Sequence, residues 1–218
     1  MNSLLATPAR EAIQLETSNT ILDGDLTVPA GARGLVVFAH GTGSGRHSTR
    51  NRAVAEVLHM ARLGTLMLDL LTEREERADT MTGSFRFNVP LLAQRVVAAV
   101  DWAVTSAPSL GIGLFGASTG AAAALIAAAI RPESVRAVVS RGGRPDLAED
   151  SLDLVSAPTL LIVGALDPGI VELNQDAFER LHGRKELQVV PDATHLFEEP
   201  AALDHVARLA REWFVRHV

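Results

Sequence analysis

Apolar residues along this chain fall into short continuous runs, and the stretches between them carry helical spacing. The runs are Gly34 to His40, Gly64 to Leu70, the segment from Gly111 to Ala117, Val135 to Ser140, Thr159 to Val163 and Glu186 to Val190. Runs of this length and continuity predict strands buried on both faces, as in a parallel sheet. The stretches between them read as amphipathic helices. One covers about Thr49 to Arg62, with Ala53, Val57, Leu58 and Ala61 on one face. A second begins at Asn88 and runs to about Thr105, with Leu91, Leu92, Val96, Val97 and Val100 as its buried stripe. An alanine-rich helix runs to Ile130, a fourth covers about Val171 to Leu181, and a last one runs from about Pro200 to His217 with Leu203, Val206, Leu209 and Phe214 inward.

Three stretches break this rhythm. Residues 11–17 and 25–29 alternate polar and apolar, with Asp23-Gly24 as the turn signal between them, which predicts an antiparallel pair at the sheet edge. Residues 71–87 form a long charged connection ending in Phe85-Arg86-Phe87, a length that in a compact domain marks a functional loop or disorder. A short polar segment separates Arg141-Gly142-Gly143-Arg144-Pro145 from Pro158. Strand and helix otherwise alternate from residue 34 onward. The expected fold is α/β: a mostly parallel sheet of about seven to eight strands, helices on both faces, in a single domain over 1–218.

Composition narrows this picture in four ways. The chain is 47% hydrophobic and 21% charged, the balance of a globular protein. No apolar run approaches the ~20 residues of a membrane span, and Met1 to Arg10 lacks the pattern of a signal peptide, so the expected location is cytoplasmic, away from membranes. Cysteine is absent, which excludes disulfides, thiolate metal sites and a cysteine nucleophile. A net charge of -6 offers no basic footprint for nucleic acid.

The chemistry gathers at Gly111-Ile112-Gly113-Leu114-Phe115-Gly116-Ala117-Ser118-Thr119-Gly120. A strand runs into a tight turn, glycines stand two positions to either side of a serine, and a helix follows at once. That is G-x-S-x-G in its strand–turn–helix setting, which projects the serine hydroxyl from the fold and aims helix amides at it. Ligands of parallel sheets bind beyond the C-terminal ends of the strands. The polar residues at that edge are His40 to Gly45, Asp69, Ser118, Arg141, Asp167 and His195. Ser118, Asp167 and His195 follow one another in the order Ser…Asp…His, each just past a strand, so Ser118 reads as nucleophile, His195 as general base and Asp167 as its orienting carboxylate. Asp146 and Asp192 are the nearby alternatives for the acid. The oxyanion donors expected are the amides of Thr119 and Thr42, with Gly43 the fallback. His40 reads as a structural strand-end histidine, Asp69 as a cap, and Arg46, His47, Arg50 and Asn51 as a solvated helix start. Arg141 reads as an ion pair with Asp146 or Glu149, or as the anchor of a substrate carboxylate. Phe85, Phe87 and Phe197 are candidate pocket walls, with core packing the equal alternative.

These residues resemble the α/β-hydrolase superfamily and, within it, the dienelactone-hydrolase-like branch. The likeness runs from the His40-Gly41 loop to the last helix, and Arg46-His47-Ser48, Arg50-Asn51, Ser140 to Pro145 and Thr194 to Phe197 look like a group of small bacterial hydrolases, some of them fused to a phosphoribosyltransferase domain. The resemblance implies an uncapped site, since only a short connection follows Ser140 where larger relatives insert a cap. Dienelactone hydrolases proper use cysteine where this chain has Ser118, so the dienelactone substrate is not carried over. The activity expected is a serine carboxylic-ester hydrolase on a small ester, possessing no required metal or organic cofactor, with a homodimer left open. The rivals are an acyltransferase, amidase or thioesterase on the same triad, and a non-catalytic ligand-binding protein on the same scaffold.

Overall fold

In a computed structural model, residues 9–41 and 43–218 are described. Among these residues, eight strands form one sheet: β1 (Arg10–Glu16), β2 (Ile21–Thr27), β3 (Gly34–Ala39), β4 (Leu63–Leu68), β5 (Gly111–Ala117), β6 (Val135–Arg141), β7 (Thr159–Gly164) and β8 (Lys185–Val190). Their spatial order is β1-β2-β4-β3-β5-β6-β7-β8. The edge pairs β1–β2 and β2–β4 are antiparallel, and every other pair is parallel. The central strands β3, β4 and β7 are buried along their whole length, which is why their sequences are continuous apolar runs.

The helices are α1 (Thr49–Met60), α2 (Glu73–Thr82), α3 (Val89–Ser106), α4 (Thr119–Ile130), α5 (Pro168–Arg180) and α6 (Ala202–His217), with a 3-10 segment at Pro145–Leu154. They divide between the two faces. Stripes of α3, α4 and α5 close one core, with Val96, Ala123 and Ala177 against Val37, Leu114 and Leu161. Stripes of α1 and α6 close the other, with Leu58, Val206 and Phe214 against Val36, Phe115 and Val139. Each strand therefore feeds alternate side chains to the two cores.

Two expectations are corrected. The turn between β1 and β2 lies at Thr17–Thr20, where the Thr17 amide donates to the Thr20 carbonyl at 2.8 Å, and Asp23-Gly24 sits inside β2. Gly24 is a packing glycine, because a Cβ there would stand 2.7 Å from Leu68 Cδ2 on β4. The second correction concerns residues 71–87, which hold α2. Thr72 and Glu75 form a capping box at its start, and Gly83 ends it in the left-handed conformation. Its faces are charged all round, so it leaves no apolar period to read; the T-x-x-E spacing at 72–75 is the signal that could have found it. Glu75 also reaches Arg95 of α3 through both oxygens, at 2.6 and 2.7 Å, and this pair ties α2 to the body of the fold.

Candidate active site

The elbow at Ser118 is built by backbone strain and by missing side chains. Ser118 caps α4 with φ 51° and ψ -123°, a conformation that costs a non-glycine residue of order 1–3 kcal/mol. The turn is clamped from β6 and the segment after it: the Ser118 amide donates to the Arg141 carbonyl at 3.3 Å, and the Ser118 carbonyl accepts from the Arg144 amide at 3.1 Å. Two close approaches demand glycine. A Cβ on Gly120 would lie 2.2 Å from the Ala39 carbonyl oxygen, so α4 can start only tight against β3. A Cβ on Gly41 would meet the Ala117 carbonyl oxygen at 2.8 Å and Ser118 Cβ at 2.9 Å, which places the loop after β3 directly against Ser118.

His195 and Asp167 meet at the same edge. His195 follows β8, Asp167 follows β7, and Nδ1 of His195 lies 2.6 Å from Oδ2 of Asp167. Asp167 stands at the N-cap position of α5 but makes no side-chain cap hydrogen bond, so its carboxylate is kept for the imidazole. The alternatives are otherwise placed. Asp146 is taken by a two-point contact from Arg144 at 2.9 and 2.7 Å, and Asp192 is an exposed turn residue with φ 57°.

Thr119 begins α4 and is buried, with its backbone at the helix N-terminus. Thr42 lies outside the described residues. The loop that carries it is anchored on both sides. His40 is buried, Nε2 accepts the Leu70 amide at 2.8 Å, and Nδ1 lies 2.9 Å from the Gly41 carbonyl. Those partners fix a neutral tautomer with the proton on Nδ1, and burial pushes the ring's pKa down. On the far side Asp69 accepts the Arg46 amide at 2.7 Å and pairs with its guanidinium. His40 and Asp69 are thus anchors of the loop.

A cavity of about 390 Å³ opens beside this loop, lined by His40, Gly41, Gly43 and Thr119 on one side and by Asp69, Glu76, Asp79, Thr80 and Arg86 on the other. The α2 residues among these escaped sequence reasoning because α2 itself did. The candidate aromatic walls are elsewhere: Phe85 packs against the core, Phe87 is exposed, and Phe197 is buried in the core under α1 and α6 while edging a separate groove with Arg50. Arg141 has neither expected partner, since Asp146 belongs to Arg144 and Glu149 is exposed without an ion pair to it.

A structure of a dienelactone hydrolase from Anabaena variabilis superposes with a TM-score of 0.95 at 53% identity, covering 97% of this chain and 99% of that one. The chain belongs to the dienelactone-hydrolase-like family of α/β-hydrolases. More distant α/β-hydrolases share the fold alone, among them Est1E from Butyrivibrio proteoclasticus, with a TM-score of 0.79 at 17% identity over 94% of this chain and 98% of that one. A Mycobacterium tuberculosis protein provisionally named a phosphoribosyl transferase is 54% identical over 210 residues, 95% of this chain and 46% of its own length. This α/β-hydrolase thus spans about half the length of the curated relatives it matches. No family model matches the chain. Among the described residues, no helix of this α/β-hydrolase is long and apolar enough to cross a membrane.

Proposed function

We propose that the protein is a serine hydrolase that cleaves a small carboxylic ester through an acyl-enzyme. The observation that carries this reading is the 2.6 Å contact between His195 Nδ1 and Asp167 Oδ2 at the edge where Ser118 holds its strained elbow. In the first half-reaction Ser118 Oγ attacks the ester carbonyl while His195 Nε2 takes its proton. Asp167 holds the ring with its proton on Nδ1 and stabilises the imidazolium that forms. The tetrahedral oxyanion collapses, the alcohol leaves with the proton from His195, and the acyl group remains on Ser118. Water then attacks with His195 as base, and collapse of the second intermediate releases the acid and restores the serine.

The oxyanion donors assigned here are the amides of Thr119 and Thr42. The Thr119 assignment is supported by its place at the start of α4, the Thr42 assignment by the seating of Gly41 against Ser118. Between β6 and β7 the chain has only the 3-10 segment and its flanks, which supports an uncapped site open to small or accessible esters. The phosphoribosyl transferase name of the longer relatives is not carried to this chain, which matches less than half of their length and has the hydrolase fold.

Incubation with a fluorophosphonate followed by peptide mass analysis should find the adduct on Ser118, and Ser118→Ala should abolish turnover of short-chain aryl esters. A folded protein with no adduct, or equal ester turnover in variant and parent, sinks the proposal.

A further inference from the structure

Arg141 is a buried cation without a counter-charge. It ends β6 in step with Ala137 and Val139, so its side chain lies on the sheet face covered by α1 and α6. It is 7% exposed, and both Nε and Nη1 are fully buried with no hydrogen-bond partner. No carboxylate among the described residues lies within 4.0 Å of its guanidinium. Its charged neighbour is another cation, Arg50, in the first turn of α1. Burial and the Arg50 charge lower the Arg141 pKa to about 10, so it stays charged at neutral pH.

Arg50 adds to the deficit of negative charge. Its Nε is also buried without a partner, and its Nη1 reaches only the exposed Glu198, at 2.9 Å. The first turn of α1 carries no acidic residue, so its amide ends add positive potential. Burying an unpaired charge beside a like charge is among the costliest arrangements a fold can hold. The position gives that cost a use. The Arg141 carbonyl holds the Ser118 amide, and the next residue, Gly142, has φ 50° and leaves its absent Cβ position 3.5 Å from the His195 ring. The guanidinium therefore springs from backbone that holds the Ser118 turn and passes beside His195.

We propose that Arg141, assisted by Arg50, binds an oxyanion, a carboxylate or phosphate group carried by the substrate ester. This rests on the ester-hydrolase reading and specifies its substrate class. Guanidinium forks match both groups through paired N–H donors, and the charge deficit is met when the anion arrives.

Three p-nitrophenyl esters of matched chain length test this: butyrate, the succinate half-ester and 3-phosphonopropionate. The parent should favour an anionic ester over the neutral one at least tenfold in kcat/KM, and the better of the two names the group. In Arg141→Gln that ratio should fall at least tenfold, mainly through KM, and in Arg50→Gln at least threefold. A ratio near one in the parent, or a uniform loss on all three esters, overturns the anion site while leaving the hydrolase reading intact.

If no ester turns over and fluorophosphonate fails to label Ser118, the hydrolase reading falls, and melting decides the anion site by itself. Inorganic phosphate or succinate at ~100 times its Kd should raise the parent Tm by ~5 °C or more and leave that of Arg141→Gln unmoved. In anion-free buffer Arg141→Gln should melt at or above the parent. A variant that melts far lower, or does not fold, shows a structural role for the guanidinium and overturns the proposal, as does a parent Tm that neither anion shifts.

Discussion

Replacing Asp167 by Asn tests the acid assignment and has a calculable size. The carboxylate oxygen is 2.6 Å from His195 Nδ1, so the two charge centres are ~4 Å apart when the imidazole is protonated. Both side chains are partly exposed, at 21% and 36%, so an effective dielectric of ~20 is appropriate, and the attraction is then ~4 kcal/mol. In the proposed mechanism that attraction exists only while His195 holds the proton taken from Ser118, so losing it falls on the barrier and costs about 10³ in rate. Asn also offers an N–H where the ring needs an acceptor, which favours the wrong tautomer, so the expected loss in kcat is 10³ to 10⁴. The assay is steady-state hydrolysis of a short aryl ester, with circular dichroism as the fold check. Asp146→Asn is the control, because Asp146 serves Arg144, and its kcat should stay within about threefold of the parent. Asp167→Asn retaining kcat within tenfold, or Asp146→Asn losing as much, refutes the assignment.

Gly41→Ala should lower kcat by about 10² in a folded protein, since its Cβ cannot stand 2.8 Å from the Ala117 oxygen and 2.9 Å from Ser118 Cβ without displacing the loop or Ser118. A change within threefold would show that the loop yields without cost. Glu75→Gln should cost about 3 kcal/mol by leaving the buried Arg95 cation without its carboxylate, a Tm loss of ~6–12 °C, while Glu73→Gln on the exposed Arg77 pair should be neutral. Equal effects would refute the special role of Glu75. Burial lowers the pKa of His40, His59 and His217. Below about 6.5, their ordinary value, the unfolded chain binds more protons than the folded one. Their contribution to stability is therefore whole above that pH and is lost as pH falls through the folded values. Tm should decline from pH 7 to pH 5, and the slope should be shallower in His40→Gln; a flat or rising profile contradicts this.

Much of the fold was legible before any coordinates because continuous apolar runs and helical stripes are local records of burial on two faces. The G-x-S-x-G elbow was legible for the same reason: its strained turn and its glycines are set by residues adjacent in the chain. The order of Ser118, Asp167 and His195 follows from alternation alone, since each ends a strand or the turn after one. Where local signals conflicted, reading failed. Asp23-Gly24 has turn chemistry, but Gly24 is needed for the approach of Leu68, 44 positions along the chain. The α2 helix carries charge on every face, because its stability comes from a capping box and from Arg95 on a later helix.

The sequence alone determined the strand–helix alternation, the elbow and the set of polar residues at one sheet edge, because these depend on periodicity and on neighbours in the chain. Tertiary structure decided which members of that set meet. Asp167 reaches His195 while Asp146 is taken by Arg144, and Arg141 is left with buried, unpartnered nitrogens. Those outcomes turn on differences of a few ångströms between segments brought together by strand register. Hydrogen bonding and charge are decided at that range, and no local pattern of residues encodes it.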